Sequence, residues 1–245
     1  MLKSKPLLFY VTSTIWLKEG SFQTKKSFAC FKNMEPIHNL RKEYIKNSIC
    51  DNELDSNPFV QFHVWFSEAV SKGVSEPNAM SLSTVSDIGR PSSRIVLLKS
   101  YEKSQFSFFT NYESRKGKQL SENSYAALLF FWHELEKQVR IEGLVERLSE
   151  HESEQYFHSR PYGSQIGALV SMQSSEILDR KQIEHNYQTL FEEYKGITVP
   201  KPTGWGGYAL KPTLIEFWQG RANRLHDRIE YNLIDGAWQK RRLSP

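Results

Sequence analysis

A chain of 245 residues with 39% hydrophobic and 24% charged side chains can bury one sizeable core, and its composition excludes wholesale disorder. The formal net charge of +4, from 32 basic against 28 acidic residues, is too small to argue for nucleic acid. Two cysteines, Cys30 and Cys50, lack metal-type spacing and exclude a disulfide framework, which fits a reducing cytoplasm. No run of about 18 apolar residues offers a membrane span.

Residues 1–35 read as a disordered extension ahead of a domain at 36–245. Lys3 and Lys5 precede a mixed stretch from Leu7 to Leu17 that loosely resembles a signal segment. Thr12, Ser13 and Thr14 interrupt it, and no small-residue cleavage site follows. Upstream sequence read through to a start at Met34 is the favoured reading, and a targeting segment is the alternative.

Residues 36–48 place Ile37, Leu40, Tyr44 and Ile45 on one stripe and predict a helix. Asn57-Pro58 opens a second helix, with Val60, Trp65, Phe66 and Val70 as its apolar positions. From Ala79 the period shifts toward two. Strands are predicted at 80–85, 93–99, 106–110, 124–132, 137–148, 207–217, 223–232 and 237–242. Helices at 150–159 and about 177–195 interrupt them. Asp235-Gly236 joins the last two strands as a hairpin. Many short antiparallel strands with a few helices predict an α+β protein on a closed or nearly closed barrel.

Four clusters carry chemistry. In Arg94-Ile95-Val96-Leu97-Leu98-Lys99 two cations bound an apolar strand. Strict alternation puts them on opposite faces, so they serve two anions, meet across a bulge, or simply reach water from the strand ends. Ser114-Arg115-Lys116-Gly117 opens a short helix, where Ser114 as the cap and two cations make either a phosphate cradle or an exposed basic turn. Ser149 and Glu152 have capping-box spacing, which places Tyr156 and Arg160 on one helix face with Ser164 just beyond the helix end. A phenol, a guanidinium and a hydroxyl suit a phosphate monoester better than a solvated surface pair. Finally, a strand through Arg224, His226 and Arg228 aligns three ionisable groups beside Trp218, an arrangement that calls for an anion among them. Walker, dinucleotide-fingerprint, HExxH and GxSxG motifs are absent, and the seven histidines show no metal-ligand spacing.

Taken in order, RIVLLK (94–99), SRK (114–116), LEKQV (135–139), YFHSRP (156–161), SQIGA (164–168), WGG (205–207), IEFWQG (215–220) and RLHDR (224–228) resemble the pyridoxine/pyridoxamine 5′-phosphate oxidase family, over roughly residues 37–245. The resemblance implies an FMN-binding split barrel, a homodimer with FMN at the subunit interface, and no membrane or nucleic-acid partner. It implies FMN contacts at Arg94, Ile95, Val96, Leu97, Leu98, Lys99, Phe109, Thr110, Arg115, Lys116, Gln138, Gln173, Ser174, Trp218 and Arg228. Lys99, Tyr156, Arg160 and Ser164 would hold the substrate phosphate, with Arg224, Leu225 and His226 over the pyridine ring and Arg224 and His226 as the catalytic pair. Arg41, Lys42, Glu43 and Tyr44 match a segment that closes over the substrate; the family commonly has Arg-Arg-Glu-Tyr there, and Tyr where Phe109 stands. Tyr162-Gly163 replaces a more charged pair before Ser164.

The implied reaction is oxidation of pyridoxamine or pyridoxine 5′-phosphate to pyridoxal 5′-phosphate with dioxygen as acceptor and peroxide as by-product. A split-barrel flavin reductase and a non-enzymatic FMN or pyridoxal-phosphate carrier are the rivals. A reductase would lack Tyr156, Arg160, Ser164 and the RLHDR segment.

Overall fold

The structure, a computed structural model, describes residues 35–40, 42–50 and 54–245; the expectations placed on Arg41 and on residues 1–34 lie outside the described residues. Two compact units divide the chain, Met1–Lys42 and Glu43–Pro245. The described part of the first contains a single 3-10 turn, Ile37–Asn39, with Ile37 and Leu40 exposed.

The second unit runs α1 (Pro58–Ser71), β1 (Ala79–Val85), β2 (Pro91–Leu97), β3 (Phe106–Asn111), α2 (Arg115–Glu122), β4 (Tyr125–Trp132), β5 (Lys137–Arg147), α3 (Glu150–Ser159), α4 (Tyr162–Val170), α5 (Arg180–Glu193), β6 (Trp205–Gln219), β7 (Asp227–Ile234) and β8 (Ala237–Leu243). All ladders are antiparallel, in the order β2-β1-β4-β5-β6-β7-β8. β6 has two partners along one side. Its first residues, 205–210, pair with β3, and residues 214–219 pair with β7. β5 runs along its other side with a register shift at Glu142/Gly143.

Strands β2, β1, β4, β5, β6 and β3 therefore wrap into a barrel that is split between β2 and β3. There the only described ladder contact is the bridge Ser100↔Ser107, made by Ser107 N–H to the Ser100 carbonyl and Lys99 N–H to the Ser107 carbonyl. Alternation fills the interior: Met80, Leu82 and Thr84 point inward from β1, and Ala126, Leu128, Phe130 and Trp132 from β4. α1 starts at Asn57, whose side chain accepts from Phe59 N–H, with Pro58 in its first turn. It buries Phe62, Trp65 and Ala69, with Phe62 against Phe106 and Phe130 and Trp65 against Phe217. Burying a ring such as Phe62 contributes roughly 1.5–3 kcal/mol. A second, smaller core joins α3, α4 and α5 around Phe157, Ile166, Val199 and Trp205.

Three expectations are corrected. The stripe at 36–48 does not form a helix. Beyond the 3-10 turn the described residues to 48 have no regular secondary structure, and their N–H groups bond outward: Ile45 and Lys46 N–H donate to the Glu136 carboxylate, and Ile49 N–H just beyond to Asp227. The strand foreseen at 223–232 begins only at Asp227; a 3-10 turn, Ala222–Arg224, precedes it, with Asn223 and Arg224 at positive φ. Arg224, His226 and Arg228 therefore do not form a row on one strand. α4 was unforeseen; Ser164 lies beyond the end of α3 as expected, and in the first turn of α4. The Asp235-Gly236 turn is a hairpin as expected, with both residues at positive φ.

Candidate active site

The split between β2 and β3 opens into a cavity of about 970 Å³, closed on the far side by α2, α3 and α4. β2 lines it with consecutive residues from Ser92 to Leu97, because an edge strand borders the space with its rim as well as one face. The strand then ends: Leu98 turns into the core at 4% exposure, and Lys99 emerges beside the cavity. This is how Arg94 and Lys99 come to share one space despite their spacing. β3 supplies Phe109 and Thr110; α2 supplies Arg115 and Lys116; α3 and α4 supply Tyr156 and Ser164, with Arg160 between them; Gln173 and Ser174 follow α4.

Local chemistry fixes these positions. The Ser114 side chain caps α2 by accepting from Gly117 N–H. A Cβ at Gly117 would collide with the Tyr112 backbone, so the tight entry into α2 requires glycine. The capping box of Ser149 and Glu152 starts α3. Pro161 separates Arg160 from α4 and turns the chain so that Tyr156, Arg160 and Ser164 face the same cavity.

Five cations line the cavity (Arg94, Lys99, Arg115, Lys116 and Arg160), and among the described residues no carboxylate does. Arg94 and Lys116 rest on neutral partners. The Arg94 guanidinium donates to Thr84 Oγ1 at 2.6 Å, Ser92 Oγ at 2.6 Å and the Leu82 carbonyl at 3.1 Å. Lys116 Nζ donates to Gln173 Oε1 at 3.0 Å and Thr110 Oγ1 at 3.1 Å. Burial, and then the neighbouring Arg115 charge, lower Arg94 below the ordinary arginine range; burial and then Arg94 lower Lys116; burial lowers Arg160. Arg160 Nη1 is buried without a hydrogen-bond partner. Desolvated cations that repel one another need an anion to be stable together.

A second cluster lies at the other end of β6. Tyr44 packs edge-on against Trp218 with centroids 5.6 Å apart, and His226 lies 4.7 Å from Trp218. A Cβ at Gly220 would come within 2.6 Å of Tyr44 Cγ, so glycine admits the tyrosine ring. Gln138, Trp218 and Arg228 are cross-strand neighbours on β5, β6 and β7. Here Arg221, Arg228 and Arg242 are paired. Arg228 donates Nε and Nη2 to Glu216 at 3.1 and 3.0 Å, and Asp227 accepts from Arg221 at 2.9 Å and Arg242 at 2.6 Å. Burial, then the Arg224 charge, lower the His226 pKa.

Of the residues foreseen from sequence, Arg94–Leu97, Lys99, Phe109, Thr110, Arg115, Lys116, Tyr156, Arg160, Ser164, Gln173 and Ser174 converge on the cavity. Leu98 turns away into the core. Gln138, Trp218, Arg224, Leu225, His226 and Arg228 do not line it, nor do Glu43 and Tyr44; Lys42 belongs to the first unit. Trp205, Ser92 and Gly167 line it without having been singled out as site residues. Ser92 was accessible through period two with Arg94; Trp205 stood in the WGG motif without a site role attached to it. Among the described residues no group of three His, Cys, Asp or Glu side chains could hold a metal, and no helix is long and apolar enough to cross a membrane.

Comparison with known proteins identifies the family. The family described as pyridoxamine 5′-phosphate oxidase matches residues 66–193, and the pyridoxine 5′-phosphate oxidase C-terminal dimerisation region matches residues 205–245. A pyridoxine/pyridoxamine 5′-phosphate oxidase from Cyanothece is 53% identical, covering 85% of this chain and 98% of its own. The chloroplastic enzyme 1 of Arabidopsis thaliana is 52% identical over 85% of this chain, which spans 40% of that longer protein. The crystal structure of PhzG from Burkholderia lata, solved with tetrahydrophenazine-1-carboxylic acid, superposes with a TM-score of 0.78 at 30% identity, covering 82% of this chain and 99% of that one. The chain belongs to the pyridoxine/pyridoxamine 5′-phosphate oxidase family.

Proposed function

We propose that this protein is an FMN-dependent oxidase that converts pyridoxamine and pyridoxine 5′-phosphates to pyridoxal 5′-phosphate. The observation that carries the reading is the cavity with five cations and no described carboxylate, one guanidinium nitrogen of which is buried without a partner. Two phosphate esters fit it. Arg94, Arg115, Lys116, Thr110, Gln173 and Ser174 form one group of donors suited to the FMN phosphate and its polar tail; Lys99, Tyr156, Arg160 and Ser164 form another, suited to the substrate phosphate. The cavity volume is within the range for a cofactor and a small ligand together.

A bound FMN would supply the two-electron acceptor for the substrate C4′ carbon, with dioxygen as the final oxidant and hydrogen peroxide as its product. The amine substrate also consumes one water and releases ammonia. The chain's own contribution is positioning: the phosphate donors fix one end of the substrate, and the pyridine ring is oriented by Arg224 and His226. His226, its pKa lowered, is neutral near pH 7 and can accept a proton.

Arg224, His226, Trp218, Gln138 and Arg228 reach a cavity from a second copy. Thirteen residue steps along β6 separate Trp205, in the cavity wall, from Trp218, up to ~43 Å of extended strand. One chain therefore presents the two halves at opposite ends of one strand, and a two-fold dimer brings each half against its complement. The match of residues 205–245 to a dimerisation region supports this arrangement. We place the enzyme in the cytoplasm, where the exposed free thiol of Cys50 stays reduced.

The test is direct. Purified protein is expected to be yellow and to release peroxide from pyridoxamine 5′-phosphate. Yellow protein without peroxide indicates a carrier, and flavin reduction by a nicotinamide donor instead indicates a reductase. Arg224→Ala is expected to lose turnover while retaining flavin; wild-type turnover in that variant removes Arg224 from the site.

A further inference from the structure

Arg160, half-buried with its Nη1 fully buried, is held unusually for an arginine. Buried guanidinium groups ordinarily sit on a carboxylate, yet no described carboxylate lines the cavity around this one. Its Cζ lies 4.8 Å from the centroid of the Trp205 ring instead. Trp205 is itself fixed. It is 7% exposed, stacks on Phe109 at 5.5 Å and 17°, and meets Phe157 edge-on at 5.2 Å. Its backbone N–H bonds to the Pro202 carbonyl, and its carbonyl accepts from Lys201 Nζ. Phe109 in turn stacks on Tyr156 with centroids 3.9 Å apart, and the Tyr156 and Trp205 planes are within 8° of parallel. One aromatic stack thus touches both Tyr156 and Arg160.

Resting on the proposed function, we infer that Trp205 is the positioning residue of the substrate-phosphate site, with Phe109 transmitting its order to Tyr156. The physical reason is competition for donors. A carboxylate would hold Arg160 by occupying the same fork of N–H groups that a phosphate must take, and would cancel the charge that attracts it. An indole face holds the flat guanidinium through its π-cloud and leaves every N–H free. The unpartnered Nη1 is what such a support leaves behind. The stack also accounts for a phenylalanine at 109: at this centroid separation the position works through its ring face, which needs no hydroxyl.

The experiment compares wild type, Trp205→Leu and Trp205→Phe as flavin-loaded enzymes. It measures calorimetric binding of 4-deoxypyridoxine 5′-phosphate, which has no oxidisable group at C4′, alongside steady-state turnover, flavin content and melting temperature. Losing the π face is expected to weaken analogue binding and raise KM by roughly 3- to 30-fold in Trp205→Leu, with kcat and bound flavin retained. Trp205→Phe, with a weaker but present face, is expected to recover affinity to within about 3-fold of wild type. Unchanged affinity in Trp205→Leu, or parallel loss of affinity, kcat and flavin in both variants, overturns the assignment. Should Trp205→Leu not fold, Trp205→Met, likewise without a π face, takes its place, and unchanged affinity in that variant overturns the assignment. A wild type that neither binds the analogue nor oxidises pyridoxamine 5′-phosphate overturns the proposed function instead.

Discussion

The two clusters of arginines in this fold are built on opposite electrostatic plans. In the cavity between β2 and β3, Arg94 and Lys116 have neutral partners, one Arg160 nitrogen has none, and burial pushes all three below their ordinary range. Around β6 and β7 each of Arg228, Arg221 and Arg242 grips a carboxylate. The first set lacks carboxylates of its own and offers its charge to an anion from outside the chain, while the second set is neutralised within the chain. Counting basic residues would rank the two alike; counting their partners separates a binding site from a scaffold.

Substitutions sharpen that contrast. The largest effect is expected from Glu216→Gln in the paired cluster. It leaves Arg228 without its carboxylate and Arg140 with Glu142 alone, and because those two arginines are 28% and 42% exposed the loss falls below that of a fully buried pair. A drop of about 2–3 kcal/mol in unfolding free energy by urea titration is expected. Next, Arg160→Ala in the cavity should lower kcat/KM for pyridoxamine 5′-phosphate roughly 10- to 150-fold, the worth of one charge-assisted hydrogen bond, with melting temperature preserved. Lys116→Met breaks the comparison most cleanly. Removing a cation that has no carboxylate partner should leave the stability of flavin-free protein unchanged or raised, while FMN dissociation becomes about tenfold easier, measured by fluorescence of released flavin. A stability loss as large as that of Glu216→Gln would erase the contrast between the two clusters.

The smallest effect is on pH dependence. His226 has a folded pKa below its unfolded value of 6.5, so the folded state binds fewer protons than the unfolded one in that range. Its contribution is present above pH 6.5 and is lost as pH falls through the folded pKa. Asp227, lowered from 3.8 by the Ile49 N–H and by Arg221 and Arg242 against an opposing burial effect, behaves the same way at lower pH. Melting temperature should therefore decline on acidification below about pH 6.5, more gently in His226→Gln than in wild type.

Much of the molecule was legible from residues alone, for definable reasons. Alternation marked β1, β4 and β5 because each packs one face on the main core, and the capping box of Ser149 and Glu152 placed α3 because it is a local bond pattern. The stripe at 36–48 misled because Ile37, Leu40 and Ile45 are exposed at 78%, 64% and 77%. The chain there is held by distant acceptors, 90 and 91 residues away for Lys46 and Ile45, which no local period records. α1 was found, but its buried stripe runs through Phe62, Trp65 and Ala69, with Val60 and Val70 outside it. α4 was hidden by Pro161, which reads as a terminator and here also caps a new helix. The cation-rich cavity was legible in its members, since each matched a family motif. The absence of carboxylates among them was not, because it belongs to the space and to no single segment.

The length of β6 has one further consequence under the proposed function. Since that strand holds the cavity wall and the Trp218 patch apart, a solitary copy owns two half-sites and no whole one. Specific activity should then collapse on dilution below the self-association constant. Mixing two inactive variants, one damaged at Arg160 and the other at Arg224, should revive catalysis through hybrid pairs in which one of the two pockets is intact.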